Sequence, residues 1–180
     1  PIWPGTRPYQ ALPFQWSCHV QYADGELEHR EFLADGDAAP MRACTESLIL
    51  ALESEGPVFV YTGFEQRVLT DLAALFPDLA DDLNGITQRL YDLHPLTRAN
   101  YYHPDMKGSW SIKAVLPTLA TELDYGALGE IQEGTAASEA FLEMMRADTG
   151  ENRRRTLRDN LLAYCKLDTL ALVELVRALS

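Results

Sequence analysis

Cysteine is scarce: Cys18, Cys44 and Cys165 lie far apart in a chain of 180 residues. They form neither a C-x-x-C pair nor an even disulfide framework, which speaks for reduced, mostly buried thiols in a cytoplasmic protein over a redox or zinc role. Long apolar runs are absent too. Nothing approaches the roughly 18 residues of a membrane span, and no cationic start followed by an apolar stretch marks a signal peptide, so no membrane partner is expected. The histidines, His19, His29, His94 and His103, lack H-E-x-x-H or comparable ligand spacing, and none is assigned to a metal. There is no P-loop, no G-x-S-x-G and no G-x-G-x-x-G. Pro104-Asp105 lacks the downstream acid-x-Lys triplet that a restriction-type nuclease core needs.

Positive charge is in deficit, with 15 Lys and Arg against 27 Asp and Glu and a formal net charge of −12. A surface of that sign opposes tight non-specific binding to phosphate backbones. It does not exclude a nuclease, because a two-metal site is itself built from carboxylates and bound divalent ions reverse the local sign of charge. Apolar residues make up 47% of the chain, enough for an ordinary core. The length fits one domain over residues 1–180, without internal repeat, low-complexity tract or linker. The first residue is Pro1 rather than Met, so the chain is expected to begin inside a longer protein.

The segment from Pro1 to Pro13 carries four prolines and a glycine and reads as extended and irregular. Phe14, Trp16, Cys18 and Val20 then alternate with Gln15, Ser17, His19 and Gln21, a strand with one apolar face. Asp24-Gly25 is a turn signal, and Leu27 to Leu33 returns as the second strand of a hairpin. Pro40 suits a first helical turn, with a stripe through Leu48 and Leu52 up to Gly56. Val58 to Tyr61 is a short apolar strand broken by Thr62-Gly63, and Phe64 to Phe76 reads as a helix. A short helix from Leu79 to Arg89 and a strand from Leu90 to Leu93 follow. The stretch His94 to Ser109 reads as a loop. Ser111 to Ala120, interrupted by Pro117, is helical, as are Gly134 to Ala147 and Arg153 to Leu179. This order is an α/β pattern with a mixed sheet.

Several residues can carry chemistry. Tyr164 and Asp168 stand at i and i+4 on the last helix and share a face. A carboxylate there can hold a divalent ion while the phenol orients a water, although a surface acid beside an aromatic ring produces the same spacing. Glu65 follows a buried strand at the start of a helix, where functional groups collect in open α/β sheets; a first-turn acid complementing the helix dipole fits its place equally well. Asp92 ends a strand and either points into the same site or forms a turn. Ser109 and Ser111 are candidate N-caps, and Lys113 can reach a phosphate. Arg153-Arg154-Arg155 with Arg158 is the only basic cluster, more simply read as a solvated helix face than as a nucleic-acid contact.

Arg7-Pro8-Tyr9-Gln10, Pro13-Phe14-Gln15-Trp16-Ser17 with His19, Phe64-Glu65, Gly108-Ser109 with Ser111-Ile112-Lys113, and Tyr164-Cys165 with Asp168-Thr169 occur in an order that resembles the prokaryotic family called domain of unknown function 2779, grouped with ribonuclease H-like 3′–5′ exonucleases. The resemblance is read over the whole chain. It implies a ribonuclease H-like mixed sheet, an antiparallel hairpin plus parallel strands flanked by helices. It also implies that the first strand, with an Asp-Phe-Glu motif, stands upstream of Pro1. Phe64-Glu65 resembles the second motif of that superfamily, with Glu65 in place of the usual Asp and Thr62 in place of Asn. Tyr164 and Asp168 match its third motif. The implied activity is divalent-metal-dependent 3′–5′ exonuclease-like hydrolysis of DNA or RNA by the intact parent protein, using two Mg²⁺ or Mn²⁺ ions about 4 Å apart. Glu65 and Asp168 would be metal ligands, Tyr164 would orient the water, and Ser109 and Lys113 would meet the substrate. Without the first motif, this stretch alone is expected to bind metal weakly and to lack activity. The alternatives are a non-catalytic ribonuclease H-like module that binds nucleic acid or a protein partner, and a small-molecule phosphoesterase on the same fold.

Overall fold

A computed structural model of the chain describes residues 3, 6, 10–35, 38–120, 123, 130, 131 and 133–180. The Arg7-Pro8-Tyr9 part of the family signature and much of the extended opening segment lie outside these residues. The hairpin forms as its alternation predicts. Strands β1 (Gln15–Gln21) and β2 (Leu27–Leu33) pair antiparallel with His19 opposite His29, and Gly25 takes φ +90° in the turn. Helix α1 (Pro40–Leu52) begins on Pro40, whose absent N–H costs nothing in a first turn. Strand β3 (Val58–Val60) leads into α2 (Phe64–Leu75), a 3-10 turn and α3 (Ala80–Gln88). Strand β4 (Leu90–Asp92) then pairs parallel to β3, with Val60 opposite Asp92.

The strands make two separate two-stranded sheets rather than the single mixed sheet expected, because no described strand pairs with both the hairpin and the parallel pair. A second difference concerns the stretch read as a loop after Leu93. It holds α4 (Leu93–Asn100) and a 3-10 turn at Pro104–Met106. Pro95 stands in the first turn of α4, where a missing N–H breaks no helical hydrogen bond, so it does not oppose the helix. Helices α5 (Ile112–Leu119), α6 (Gly134–Met144) and α7 (Glu151–Leu179) complete the chain; α5 ends two residues after Pro117.

Helix α7 is the spine. Its 29 residues run ~43 Å at about 1.5 Å each. Leu157 and Leu161 join Leu33, Phe141 and Met144 in one apolar cluster. Leu167 and Ala171 meet Leu116 and Ala120 of α5 in a second, and Leu175 meets Leu93, Met106 and Val115 in a third. A fourth cluster joins α1, α2 and α3 through Met41, Leu69, Leu72, Leu83 and Ile86.

The polar face of β1, expected to look outward, packs on α7 instead. Gln15 Nε2 donates to the Leu161 carbonyl at 2.8 Å. Ser17 Oγ and His19 Nδ1 each lie 2.9 Å from Thr169 Oγ1, and Ser17 Oγ lies 2.8 Å from His29 Nε2. A polar strand face can be buried when its groups find partners of matching geometry. The other face is used as well, for Arg30 donates to the Ala51 carbonyl of α1 at 2.6 Å.

Burial pushes the His19 imidazole down to about 4, helped by the charges of His29 and Lys166. Burial also lowers His29, with Glu31 opposing and Lys166 adding. Both rings fold in their neutral form, so their contribution to stability is complete above the ordinary histidine value of 6.5 and is lost as pH falls towards about 4. Urea unfolding between these pH values is expected to show a midpoint that rises with pH, and His19→Gln to flatten part of that rise. An identical profile for both proteins would contradict the assignment.

Candidate functional site

The parallel pairing of Val60 with Asp92 brings two strand ends together. Past β3 the chain turns sharply. Thr62 adopts φ +75°, a left-handed conformation that a β-branched residue rarely takes and that costs about 1–3 kcal/mol. The Thr62 N–H donates to Asp92 Oδ1 at 2.8 Å, and the His94 N–H donates to the same oxygen at 2.9 Å. One carboxylate thus fixes the turn into α2 and caps α4. Asp92 thus forms the local turn, one of the two readings of it.

Glu65 stands in the first turn of α2. Its Oε2 is buried and has no hydrogen-bond partner among the described residues. Burial pushes its carboxyl above the ordinary range; its own backbone N–H opposes this, and the charges of Asp92 and then Asp168 push further up. These couplings bring the acid after β3 and the acid on the terminal helix within electrostatic reach of each other.

Leu157, Leu161, Tyr164, Asp168, Ala171 and Leu175 follow alternating steps of four and three along α7, the spacing of one buried helical seam. The four apolar members are buried and the two polar members half-buried. Asp168 therefore occupies a position where packing alone favours an apolar side chain. The Tyr164 hydroxyl bonds to its carboxylate. Burial, the Asp168 charge and this bond together push the phenol up, so Tyr164 stays protonated at neutral pH. Lys113, in the first turn of α5, places Nζ 5.3 Å from the centre of the Tyr164 ring. Tyr164, Asp168 and Lys113 thus lie together, and Glu65 feels the Asp168 charge. Ser109 is exposed, with its Oγ accepting the Ser111 N–H at 3.3 Å.

Glu65 and Asp168 offer hard oxygen donors of the kind Mg²⁺ or Mn²⁺ takes, and the partnerless Glu65 Oε2 fits such a role. Among the described residues no group of three or more His, Cys, Asp or Glu side chains is arranged to hold a metal ion. The basic cluster on α7 is engaged elsewhere. Arg153 is held by Glu130 and Glu143, Arg155 by Glu151 and Arg158 by Asp35, while Arg154 donates to the carbonyls of Arg146 and Thr149. The cysteines are free thiols. Burial pushes Cys44 and Cys165 up to about 12, which leaves little reactive thiolate.

One feature escapes a reading by motif. Tyr61, Thr62, His94, Arg98, Trp110 and Ser111 line a cavity of about 510 Å³ that opens to solvent. It adjoins the acids through Thr62, which bonds Asp92, and its lining includes Ile112, which packs on the same apolar cluster as Tyr164. The only signal for it in sequence is an arginine within a stretch that reads as a loop and a tryptophan just after it.

The charge on Glu65 is unfavourable in the fold. Its raised value makes its contribution greatest below the ordinary carboxyl range, and that contribution is lost as pH rises through the folded value. Glu65→Gln is therefore expected to raise the melting temperature at pH 8 by about 2–4 °C, equivalent to ~1 kcal/mol for a domain of this size, with a smaller gain at pH 4. Asp92→Ala, which removes the cap, is expected to cost about 1 kcal/mol. Thermal melts at both pH values check this, and a destabilised Glu65→Gln would contradict it.

A family model described as Domain of unknown function (DUF2779) matches residues 1–111. The match takes in Glu65, Asp92 and Ser109 but stops before Lys113, Tyr164 and Asp168. No curated protein and no solved structure matches the chain. Among the described residues, no helix is long and apolar enough to cross a membrane.

Proposed function

The chain belongs to the family described as Domain of unknown function (DUF2779), and from that starting point we propose that its parent protein hydrolyses nucleic-acid phosphodiesters, as a divalent-metal-dependent 3′–5′ exonuclease-like enzyme of ribonuclease H type. One observation carries the reading. Glu65 keeps a buried carboxyl oxygen without a hydrogen-bond partner beside the charges of Asp92 and Asp168. Such an arrangement costs stability, and perturbed acids of this kind gather at functional sites.

In this reading Glu65 and Asp168 hold the ions from one side, and the Asp-Phe-Glu that the resemblance implies completes the shell. The two small sheets are halves of one sheet, joined by a further strand. Bound Mg²⁺ or Mn²⁺ supplies polarisation of the phosphodiester and activation of a water. Tyr164, kept protonated, orients that water by hydrogen bonding and does not accept its proton. Its hydroxyl is positioned by Asp168, one helical turn away. Lys113 offsets charge on the phosphate beside the same ring. The second reading, a non-catalytic module binding nucleic acid or a protein, is favoured by Glu65 standing where the superfamily carries Asp and by the net charge of −12.

The test is cleavage of end-labelled single-stranded DNA and RNA by the parent protein, with Mg²⁺, Mn²⁺ or a chelator. Stepwise, metal-dependent shortening from the 3′ end is expected. Asp168→Ala should lower the rate at least ~100-fold, the scale of removing one group that stabilises developing charge, and Tyr164→Phe by a smaller factor. Equal cleavage by wild type and Asp168→Ala would rule out this site.

A further inference from the structure

The cavity beside the acids has a chemistry of its own. Arg30, Arg42, Arg153 and Arg177 are held by carboxylates, and Arg89 donates to the carbonyls of Leu52, Glu53, Glu55 and Gly56. Among the described residues, Arg98 has neither kind of partner. Its guanidinium lies 5.7 Å from the centre of the Trp110 ring, on the cavity wall. Arg67, Arg89 and Arg154 also lack a carboxylate, but none of them lines the cavity.

The wall around Arg98 is rigid and aromatic. Trp110 is fixed from two sides: its indole N–H donates to the Tyr101 carbonyl at 3.1 Å, and its own carbonyl accepts the Tyr61 hydroxyl at 2.5 Å. His94 meets Tyr61 edge-on at 5.3 Å between ring centres. Tyr102 lies 6.4 Å from Trp110 and is 65% exposed. The Trp110 ring lies beside the guanidinium, whose edge N–H groups form a planar fork of the geometry that matches a phosphate. Planar rings beside such a fork are the usual surface for a nucleobase. The volume of about 510 Å³ falls within the ~300–1,000 Å³ of small-ligand sites.

We propose that this cavity binds one nucleoside monophosphate unit, with the phosphate on Arg98 and His94 and the base against the Trp110–Tyr61 wall. The assignment deepens the function proposed above and rests on it only for the expectation that the unit is the end of a strand. The pocket shares Thr62 with the Asp92 side of the acids, and its Ile112 packs on the same apolar cluster as Tyr164, so a unit seated there lies next to them.

The test is binding without turnover, by tryptophan fluorescence and calorimetry in a chelator. The probes are adenosine 5′-monophosphate, adenosine, inorganic phosphate and a short single-stranded oligoadenylate. The monophosphate should bind at least about tenfold more tightly than adenosine or phosphate alone, since each of those makes only half the contacts. Arg98→Ala should remove that advantage and Arg98→Lys restore part of it, because an ammonium keeps the charge but not the fork. Arg98 is exposed, so neither variant should disturb folding, and thermal melts verify this. Tighter binding of the oligonucleotide than of the monophosphate identifies a strand end as the ligand, and the reverse identifies a free nucleotide. Equal affinity for adenosine and its monophosphate, or an Arg98→Ala protein that binds as wild type, would overturn the proposal. A parent protein without nuclease activity that still shows the Arg98-dependent binding would sink the exonuclease reading alone.

Discussion

Asp168 occupies a helix seam whose other positions are mostly leucine, and the organisation of the site follows from that placement. On α7 the same periodic stripe serves the core at Leu157, Leu161, Ala171 and Leu175 and carries polar groups at Tyr164 and Asp168. A carboxylate on such a stripe is desolvated unless something charged or hydrogen-bonding meets it. The Tyr164 hydroxyl one turn back bonds to it, and the Glu65 carboxyl feels its charge. The first interaction is favourable and the second is not. The apolar clusters on either side hold α7 against β1, α5 and α6, so the helix cannot rotate to relieve the repulsion. The cost is carried by the whole domain, the usual relation between a functional group and its scaffold.

The hairpin contributes to the same end by different means. Gln15, Ser17 and His19 fasten β1 to α7 through hydrogen bonds at the Leu161 carbonyl and at Thr169. Thr169 follows Asp168 directly, so these bonds fix the orientation of the helix where it carries the acid. Neutral histidines suit this position, because a protonated ring there would add charge to a crowded, half-buried interface that already includes Lys166.

Much of the architecture was legible from local pattern. Alternation and Asp24-Gly25 mark the hairpin, a short valine-rich run marks β3, and a long apolar period marks α7, since each is set by residues close in sequence. Helix α4 was not legible, because Pro95 and a polar composition resemble a loop until Asp92 is seen to cap it. The role of the polar face of β1 was hidden for another reason: its partners lie about 150 positions away, and no local rule pairs Ser17 with Thr169. For the site, Tyr164 and Asp168 were visible as an i, i+4 pair. The proximity of Glu65 to Asp168 depends on tertiary packing, as does the convergence of Arg98 and Trp110 on one cavity.

The coupling between Glu65 and Asp168 can be measured directly by following the Glu65 side-chain carboxyl carbon by NMR through a pH titration, in the wild-type protein and in Asp168→Asn. Glu65 should titrate above the ordinary carboxyl range in the wild type and move down when the Asp168 charge is removed, with the burial contribution remaining. A Glu65 titration that does not change between the two proteins would mean that the acids do not share a site, and the account built on them would fall.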